Sequence, residues 1–153
     1  MKITRINRKT YQLTKNEQVL GQLTYKNSLS NKAEITLIDS AIYKIKPAGF
    51  FKSHVIVTKN EIEIAKFKMN WKGQLVISLQ FEREFFLKGK GFFHIKYIIK
   101  AKDGEKIIQL EPKFNWSKFC YNYDISYNNQ SQDNFFILLT VYCINYYRAL
   151  VSW

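Results

Sequence analysis

Asn134-Phe-Phe-Ile-Leu-Leu-Thr-Val-Tyr-Cys-Ile-Asn-Tyr-Tyr-Arg-Ala-Leu-Val-Ser-Trp153 is the stretch on which the reading of this chain turns. Twenty helical residues span roughly 30 Å. Apolar side chains fall on every side of this helix instead of along one stripe, the pattern of a helix buried all round or of one that crosses a membrane. Asn145 and Arg148 interrupt the segment, and no basic cluster flanks it. Everything upstream reads as strands, and those strands would lack a core if the helix left them. Burial inside the sheet is therefore the expectation.

Working outward, three short turns recur every 44 residues, at Lys15-Asn16-Glu17, Lys59-Asn60-Glu61 and Asp103-Gly104-Glu105. Each sits between apolar-alternating runs, and Asn or Gly supplies the positive φ that tight hairpins need. An asparagine follows at a near-constant offset, at Asn27, Asn70 and Asn115, and the last two open an identical Asn-Trp pair. Lys46-Pro-Ala-Gly-Phe-Phe51 and Lys88-Gly-Lys-Gly-Phe-Phe93 mark the junctions between successive units. The unit has four strands. Strand A covers 10–15, 53–59 and 93–100; strand B covers 18–26, 62–69 and 105–112. Strand C covers 33–38, 73–81 and 118–127, and strand D covers 41–46 and 84–89. The third D strand is missing, and residues 2–6 are placed to fill its gap, bringing the count to twelve.

Period-2 alternation gives the strands one wet and one dry face, as where Tyr97 and Ile99 oppose Lys96 and Lys100. A sheet of this size, closed on itself, leaves a lumen wide enough for a helix. The expected fold is mainly β: a closed antiparallel barrel of about twelve strands wrapped around a buried C-terminal helix. Residues 1–153 form one domain, with the barrel in 1–132 and the central helix in 133–153. A propeller of four-stranded blades needs more than three copies and has no place for the helix.

The formal charge of +12 belongs to the strands, because all but one of the 24 basic and all but one of the 12 acidic side chains precede Asp133. Such a surface favours anionic partners, whether nucleic acid or an acidic leaflet. Two cysteines, Cys120 and Cys143, make no disulfide framework, and no arrangement of the Cys and His residues is read as closing a zinc site. The opening residues carry charges every few positions and no apolar run, so no secretion signal is read there and a cytoplasmic setting is expected.

The repeated hairpins, the Gly49-Phe50-Phe51 and Gly91-Phe92-Phe93 junctions, the run Ala65-Lys-Phe-Lys-Met-Asn-Trp71 and the terminal hydrophobic segment together resemble the tubby C-terminal-like superfamily. That superfamily includes the LURP-one-related proteins and the phospholipid scramblases, and the chain looks most like small bacterial members near the LURP-one group. The resemblance implies the twelve-strand barrel around a hydrophobic helix, and an association with membrane lipid. It carries over no functional residue: the chain has neither a cysteine-rich acylation stretch nor a calcium-binding carboxylate run.

No G-x-S-x-G, Walker loop or His-Glu-x-x-His occurs, and His54 and His94 read as surface residues at strand starts. A non-enzymatic binding module without cofactor or metal is expected. In an antiparallel meander, alternate loops share an end. The A–B and C–D turns collect Glu17, Asp39, Glu61, Glu82, Glu84, Asp103 and Glu105 against a few lysines, giving a near-neutral or acidic end. The B–C and D–A turns collect Arg8, Lys9, Lys26, Lys32, Lys46, Lys52, Lys72, Lys88, Lys90, Lys113 and Lys118, giving a basic end. The helix should finish there, with Arg148 in its last turn against unpaired carbonyls.

Lys46, Lys88 and Lys90, with Lys52 and Lys72, form the candidate site for an anionic lipid headgroup or another phosphorylated ligand. Phe50, Phe92, Trp71 and Trp116 are expected to plug the barrel end while the lysines stay solvated. Association with the inner membrane face follows as the functional expectation. Nucleic-acid binding and a protein-interaction scaffold are the alternatives, the former requiring stacking aromatics outside the barrel.

Overall fold

A computed structural model describes residues 1–27, 31–80, 83–90, 96–117, 120–127 and 133–151. Twelve strands precede one helix: β1 (Lys2–Arg5), β2 (Thr10–Lys15), β3 (Gln18–Tyr25), β4 (Ala33–Leu37), β5 (Ile42–Ala48), β6 (His54–Lys59), β7 (Ile62–Met69), β8 (Leu75–Leu79), β9 (Arg83–Lys90), β10 (Lys96–Ala101), β11 (Lys106–Asn115), β12 (Cys120–Tyr127) and α1 (Asn134–Val151). Each strand pairs antiparallel with its sequence neighbour, and β1 pairs with both β2 and β12, so the barrel is closed. Residues 2–5 thus occupy the place of the missing fourth strand, through Lys2↔Asp124 and Ile3↔Tyr123. Closure leaves no unpaired edge for another chain to extend.

The hairpin turns explain the sharp strand boundaries. Asn16 and Glu17 have φ of 51° and 66°, and Asn60 and Glu61 have 52° and 67°, the left-handed pair that matches strand twist. The third turn is longer: Gly104 takes φ 91°, and the Asp103 carboxylate accepts from the Glu105 N–H at 2.9 Å. A register shift lies beside each turn, at Leu13/Thr14, Val57/Thr58 and Ile99/Lys100.

Two strands run further than their prolines suggest. β5 continues through Pro47 and β11 through Pro112. The β4 ladder stops at Ala33↔Ile45, and the β10 ladder, among the described residues, stops at Tyr97↔Leu110. Pro47 therefore sits where β5 has a ladder partner on the β6 side only, Val55, a position at which a strand tolerates proline, and Pro112 is paired with Tyr123 on β12.

Every strand sends at least one apolar residue into the lumen, among them Ile3, Leu13, Leu23, Ile35, Ile45, Val57, Phe67, Ile77, Leu87, Ile99, Leu110 and Tyr123. They surround α1, whose run from Phe135 to Ile144 is buried on all sides. The helix is long and apolar enough to cross a membrane, and the barrel takes the place of lipid around it. Asp133 caps its start, its Oδ1 accepting from the Phe136 N–H at 2.7 Å. The buried Thr140 hydroxyl donates back to the Phe136 carbonyl at 2.8 Å.

Burial does not extend to the helix end. Leu150 and Val151 are exposed where the last turn emerges from the barrel mouth. Below that turn the contacts become polar. Tyr142 donates to the Asn31 carbonyl, the Asn145 amide donates to the Tyr25 hydroxyl at 3.0 Å, and Arg148 Nη1 donates to the Tyr123 hydroxyl at 3.3 Å. These bonds register the helix against β3, β12 and the β3–β4 loop.

Candidate functional site at the basic end

The loops that follow β1, β3, β5, β7 and β11 all lie at the end where α1 finishes. Their described residues include Arg8, Lys9, Lys26, Lys32, Lys52 and Lys72, and no carboxylate. The opposite end carries Glu17, Asp39, Glu61, Asp103, Glu105 and Asp133. The molecule is therefore electrically polarised along the barrel axis.

The aromatic residues at the basic end do not plug it. Phe50 is 82% exposed, Trp71 89% and Trp116 77%, and Phe51 beside Phe50 reaches 90%. Phe92 lies outside the described residues. The mouth is largely filled from within by Tyr11, Tyr97, Tyr123 and the helix tyrosines Tyr142 and Tyr147, with Tyr25 half-buried beside them, and the small cleft they leave is lined by none of the loop rings.

Local turn chemistry then aims the rings outward. Asn70 Oδ1 accepts from the N–H groups of Lys72 and Gln74 at 3.0 and 2.9 Å, which closes a turn with Trp71 at its tip. Asn115 Oδ1 accepts from the Ser117 N–H at 3.1 Å, and Trp116 takes the same place. The repeated Asn-Trp pair is thus a turn-and-tip device. Phe51 and Lys52 hold φ of 56° and 54° in the turn after β5, a left-handed backbone that is strained for a phenylalanine by about 1–2 kcal/mol. The two phenyl rings meet edge to face at 4.5 Å.

The five candidate lysines are not gathered at one point. Lys46 joins Lys9, Lys26, Lys32 and Lys44 along a groove of about 520 Å³ on the outer face of β3, β4 and β5, with Glu34 as the only carboxylate in its wall. Lys72, Lys88 and Lys90 share a second groove of about 290 Å³ across β8–β10, together with Lys100 and Lys102. Among the described residues, no carboxylate lines the second groove. Lys52 lines neither groove and stands beside Phe51 at the rim.

The second groove has an apolar floor. Phe86 and Ile98 face outward, and Ile98 is nonetheless only 5% exposed, as expected where lysine stems lie over apolar surface with their charged heads in water. Lys90 is surrounded by like charge: repulsion from Lys100, with smaller contributions from Lys96 and Lys106, pulls its ammonium below its ordinary pKa. Lys102, 3.8 Å from Glu84, is the most compensated of the set. Lys100 joins the set through the cross-strand rung Lys100↔Phe86, which exists only in the paired sheet.

Arg148 stands in the last helical turn, as its position predicts. Its bonding is to the barrel, with its guanidinium 4.8 Å from the Tyr121 ring centroid and hydrogen-bonded to Tyr123. Tyr121 continues through Phe114 to Trp116, ring to ring at 5.2 and 4.7 Å. His54 begins β6, with its ring against Gly49, where a Cβ would meet it at 2.5 Å. His94 lies outside the described residues. Among the described residues, no group of three His, Cys, Asp or Glu side chains is placed to hold a metal ion. Comparison of the chain with protein-family models, with curated proteins and with solved structures finds no match.

Proposed function

We propose that the protein is a non-enzymatic module that docks its basic end on an anionic membrane surface, at the cytoplasmic face. The observation that carries this reading is the set of loop-tip rings, Phe50, Phe51, Trp71 and Trp116, exposed among Lys52, Lys72 and the other rim cations. Large exposed rings are costly in water and at home in the headgroup region, where tryptophan concentrates. Each Lys or Arg brought near an anionic leaflet contributes about 1 kcal/mol. The acidic opposite end orients the approach, and the exposed Leu150 and Val151 add apolar surface at the same end. The lysines of the two lateral grooves then stand around the contact, ready for phosphate groups beside the rim. Membership among the tubby-like barrels is part of the same proposal; the closed twelve-strand barrel around a hydrophobic C-terminal helix supports it.

One observation favours a competing reading. Exposed tryptophans beside lysines also stack on unpaired bases. Here the rings project from separate loops, Phe50 and Phe51 two strands or roughly 10 Å along the rim from Trp71, and Trp116 four strands or roughly 20 Å further, instead of lining one continuous channel, and membrane docking fits that layout better.

The test is flotation of the purified protein with vesicles of phosphatidylcholine alone or mixed with phosphatidylserine, beside a single-stranded oligonucleotide titrated over salt. Binding to the anionic vesicles only, weakened by salt, reduced in the Lys46, Lys88 and Lys90 charge reversal and lost in a variant with Phe50, Phe51, Trp71 and Trp116 changed to Ser, is the expected result. Retention of vesicle binding by the loop-tip variant overturns the proposal. So does binding of the oligonucleotide with no vesicle binding, which establishes the nucleic-acid reading instead.

A further inference from the structure

A third cavity opens inside the mouth. A cleft of about 180 Å³ lies between the last turns of α1 and the β1–β3 side of the rim, lined by Arg5, Arg8, Asn27, Asn31, Asn145 and Tyr146 around a wall of further tyrosines. None of the residues lining it is a carboxylate. Arg5 follows lumen-facing Ile3 by two positions on β1, so the strand period turns it inward, where an apolar residue would otherwise close the barrel. Its guanidinium lies over the Tyr11 ring at 5.6 Å. Nη2 donates to the Arg8 carbonyl at 2.9 Å, while Nε is buried with no acceptor among the described residues.

A buried donor left unpaired is unfavourable by about 1–3 kcal/mol, and a second guanidinium, Arg8, lines the same cleft. Capping the β1–β2 turn accounts for the bond to the Arg8 carbonyl. It accounts neither for the unpaired Nε nor for two cations sharing a cleft that no acid lines. An oxyanion relieves the second, because the Nη groups of Arg5 and Arg8 present N–H donors to the oxygens of one phosphate or carboxylate. The Asn31 amide and the Tyr146 hydroxyl supply donors for the remaining oxygens. The volume falls below the roughly 300 Å³ of drug-sized ligand sites, which limits the ligand to a small group.

We infer that the mouth cleft is a site for a small oxyanion, a phosphate monoester group foremost, anchored by Arg5 and Arg8. The group can reach it free in solution or as the headgroup of a lipid, since the cleft opens at the end proposed to face the membrane. The site does not rest on that proposal, because the cleft is complete without a membrane.

The test is thermal stabilisation of the whole protein by glycerol phosphate at constant ionic strength, in wild type, Arg8→Gln, Arg5→Lys and, as a matched charge loss outside the cleft, Lys66→Gln. Saturable stabilisation whose apparent affinity falls about tenfold in Arg8→Gln and Arg5→Lys but stays unchanged in Lys66→Gln supports the site. Arg8→Gln removes an exposed side chain, so its melting temperature without ligand should equal that of wild type. No saturable stabilisation, or an equal loss in Lys66→Gln, overturns the inference.

A second arm compares vesicles containing phosphatidic acid, a monoester, with vesicles containing phosphatidylserine at equal charge. An Arg8-dependent preference for phosphatidic acid assigns the group to a lipid; a response to glycerol phosphate without that preference assigns it to a free ligand. The Phe50, Phe51, Trp71 and Trp116 variant separates the two proposals, because it removes vesicle docking and leaves stabilisation by glycerol phosphate intact.

Discussion

Replacing Gly21 by alanine tests directly whether the helix lies inside the barrel at the depth seen here. Gly21 faces the lumen on β3, and a Cβ built on it falls 2.9 Å from Leu138 Cδ1, 2.9 Å from Leu37 Cδ2 and 3.0 Å from the Thr36 carbonyl oxygen. Carbon atoms in contact prefer about 3.5–4.0 Å, so the added methyl overlaps its neighbours by roughly half an ångström. Leu138 is fully buried. Overpacking of this kind costs about 1–3 kcal/mol, while replacing glycine in a strand returns about 0.5–1 kcal/mol. The net expected loss is about 1–2 kcal/mol, or several degrees in Tm for a chain of this length.

The same substitution made in a Leu138→Ala background should behave differently. Leu138→Ala by itself should cost about 2–5 kcal/mol and leave a void beside residue 21. The alanine methyl then meets only Leu37 and the Thr36 carbonyl, so Gly21→Ala should cost at least about 1 kcal/mol less than in the wild-type background. The cycle should show a coupling of about 1–3 kcal/mol, read from urea unfolding followed by circular dichroism with a common m value. If Gly21→Ala costs the same in both backgrounds to within about 0.5 kcal/mol, Leu138 does not pack on β3 and the placement of the helix is wrong.

Two further outcomes follow from the polar contacts at the mouth. Tyr25→Phe removes the acceptor of the Asn145 amide and should cost about 1–3 kcal/mol; adding Asn145→Leu should restore most of that loss in thermal melts, and a double variant no better than the single one would show that the bond does not hold the helix. The second outcome concerns alkaline pH: burial pushes the Tyr123 phenol up to about 12, with Arg148 acting in the opposite direction, and burial also raises Tyr25 and Tyr142. Unfolded phenols lose their proton near pH 10, so above that pH the unfolded chain holds fewer protons than the native one and stability must fall with rising pH. Each such tyrosine removes about 1.4 kcal/mol per pH unit until its folded pKa is reached. Cooperative unfolding between about pH 10 and 12, with phenolate absorbance rising together with the loss of circular dichroism, is expected; ionisation of all ten tyrosines near pH 10 in an intact fold would contradict it.

Much of the fold is legible locally. Asn16-Glu17, Asn60-Glu61 and Asp103-Gly104 announce hairpins because their backbone preferences act within a few residues. The apolar run from Phe135 to Ile144 announces burial on all sides because no polar stripe interrupts it. The charge separation between the two ends also follows from tracing alone, since a meander must return its loops alternately.

The site was less legible, and the residues that escaped share a cause. The Asn-Trp pairs read as plugs because repetition suggests packing, yet the direction of Trp71 and Trp116 depends on whether the mouth still has room, and the helix tyrosines have taken it. A signal was available in the asparagine that closes each turn one residue ahead of the tryptophan. Lys46 parts from Lys88 and Lys90, and Lys100 joins them, through cross-strand register, which is a property of paired strands.

By itself, then, the sequence determined the strands, their order, the buried helix and the polarity of the two ends, because hydrophobic period, turn chemistry and net charge are local quantities summed along the chain. Only the tertiary structure decided which side chains share a groove, that Arg5 and Arg8 meet Asn145 and Tyr146 in the mouth cleft, and that glycine at position 21 lets the helix lie against β3. Those are juxtapositions of residues far apart in sequence, and closure of the barrel around a helix of fixed width is what brings them within contact distance.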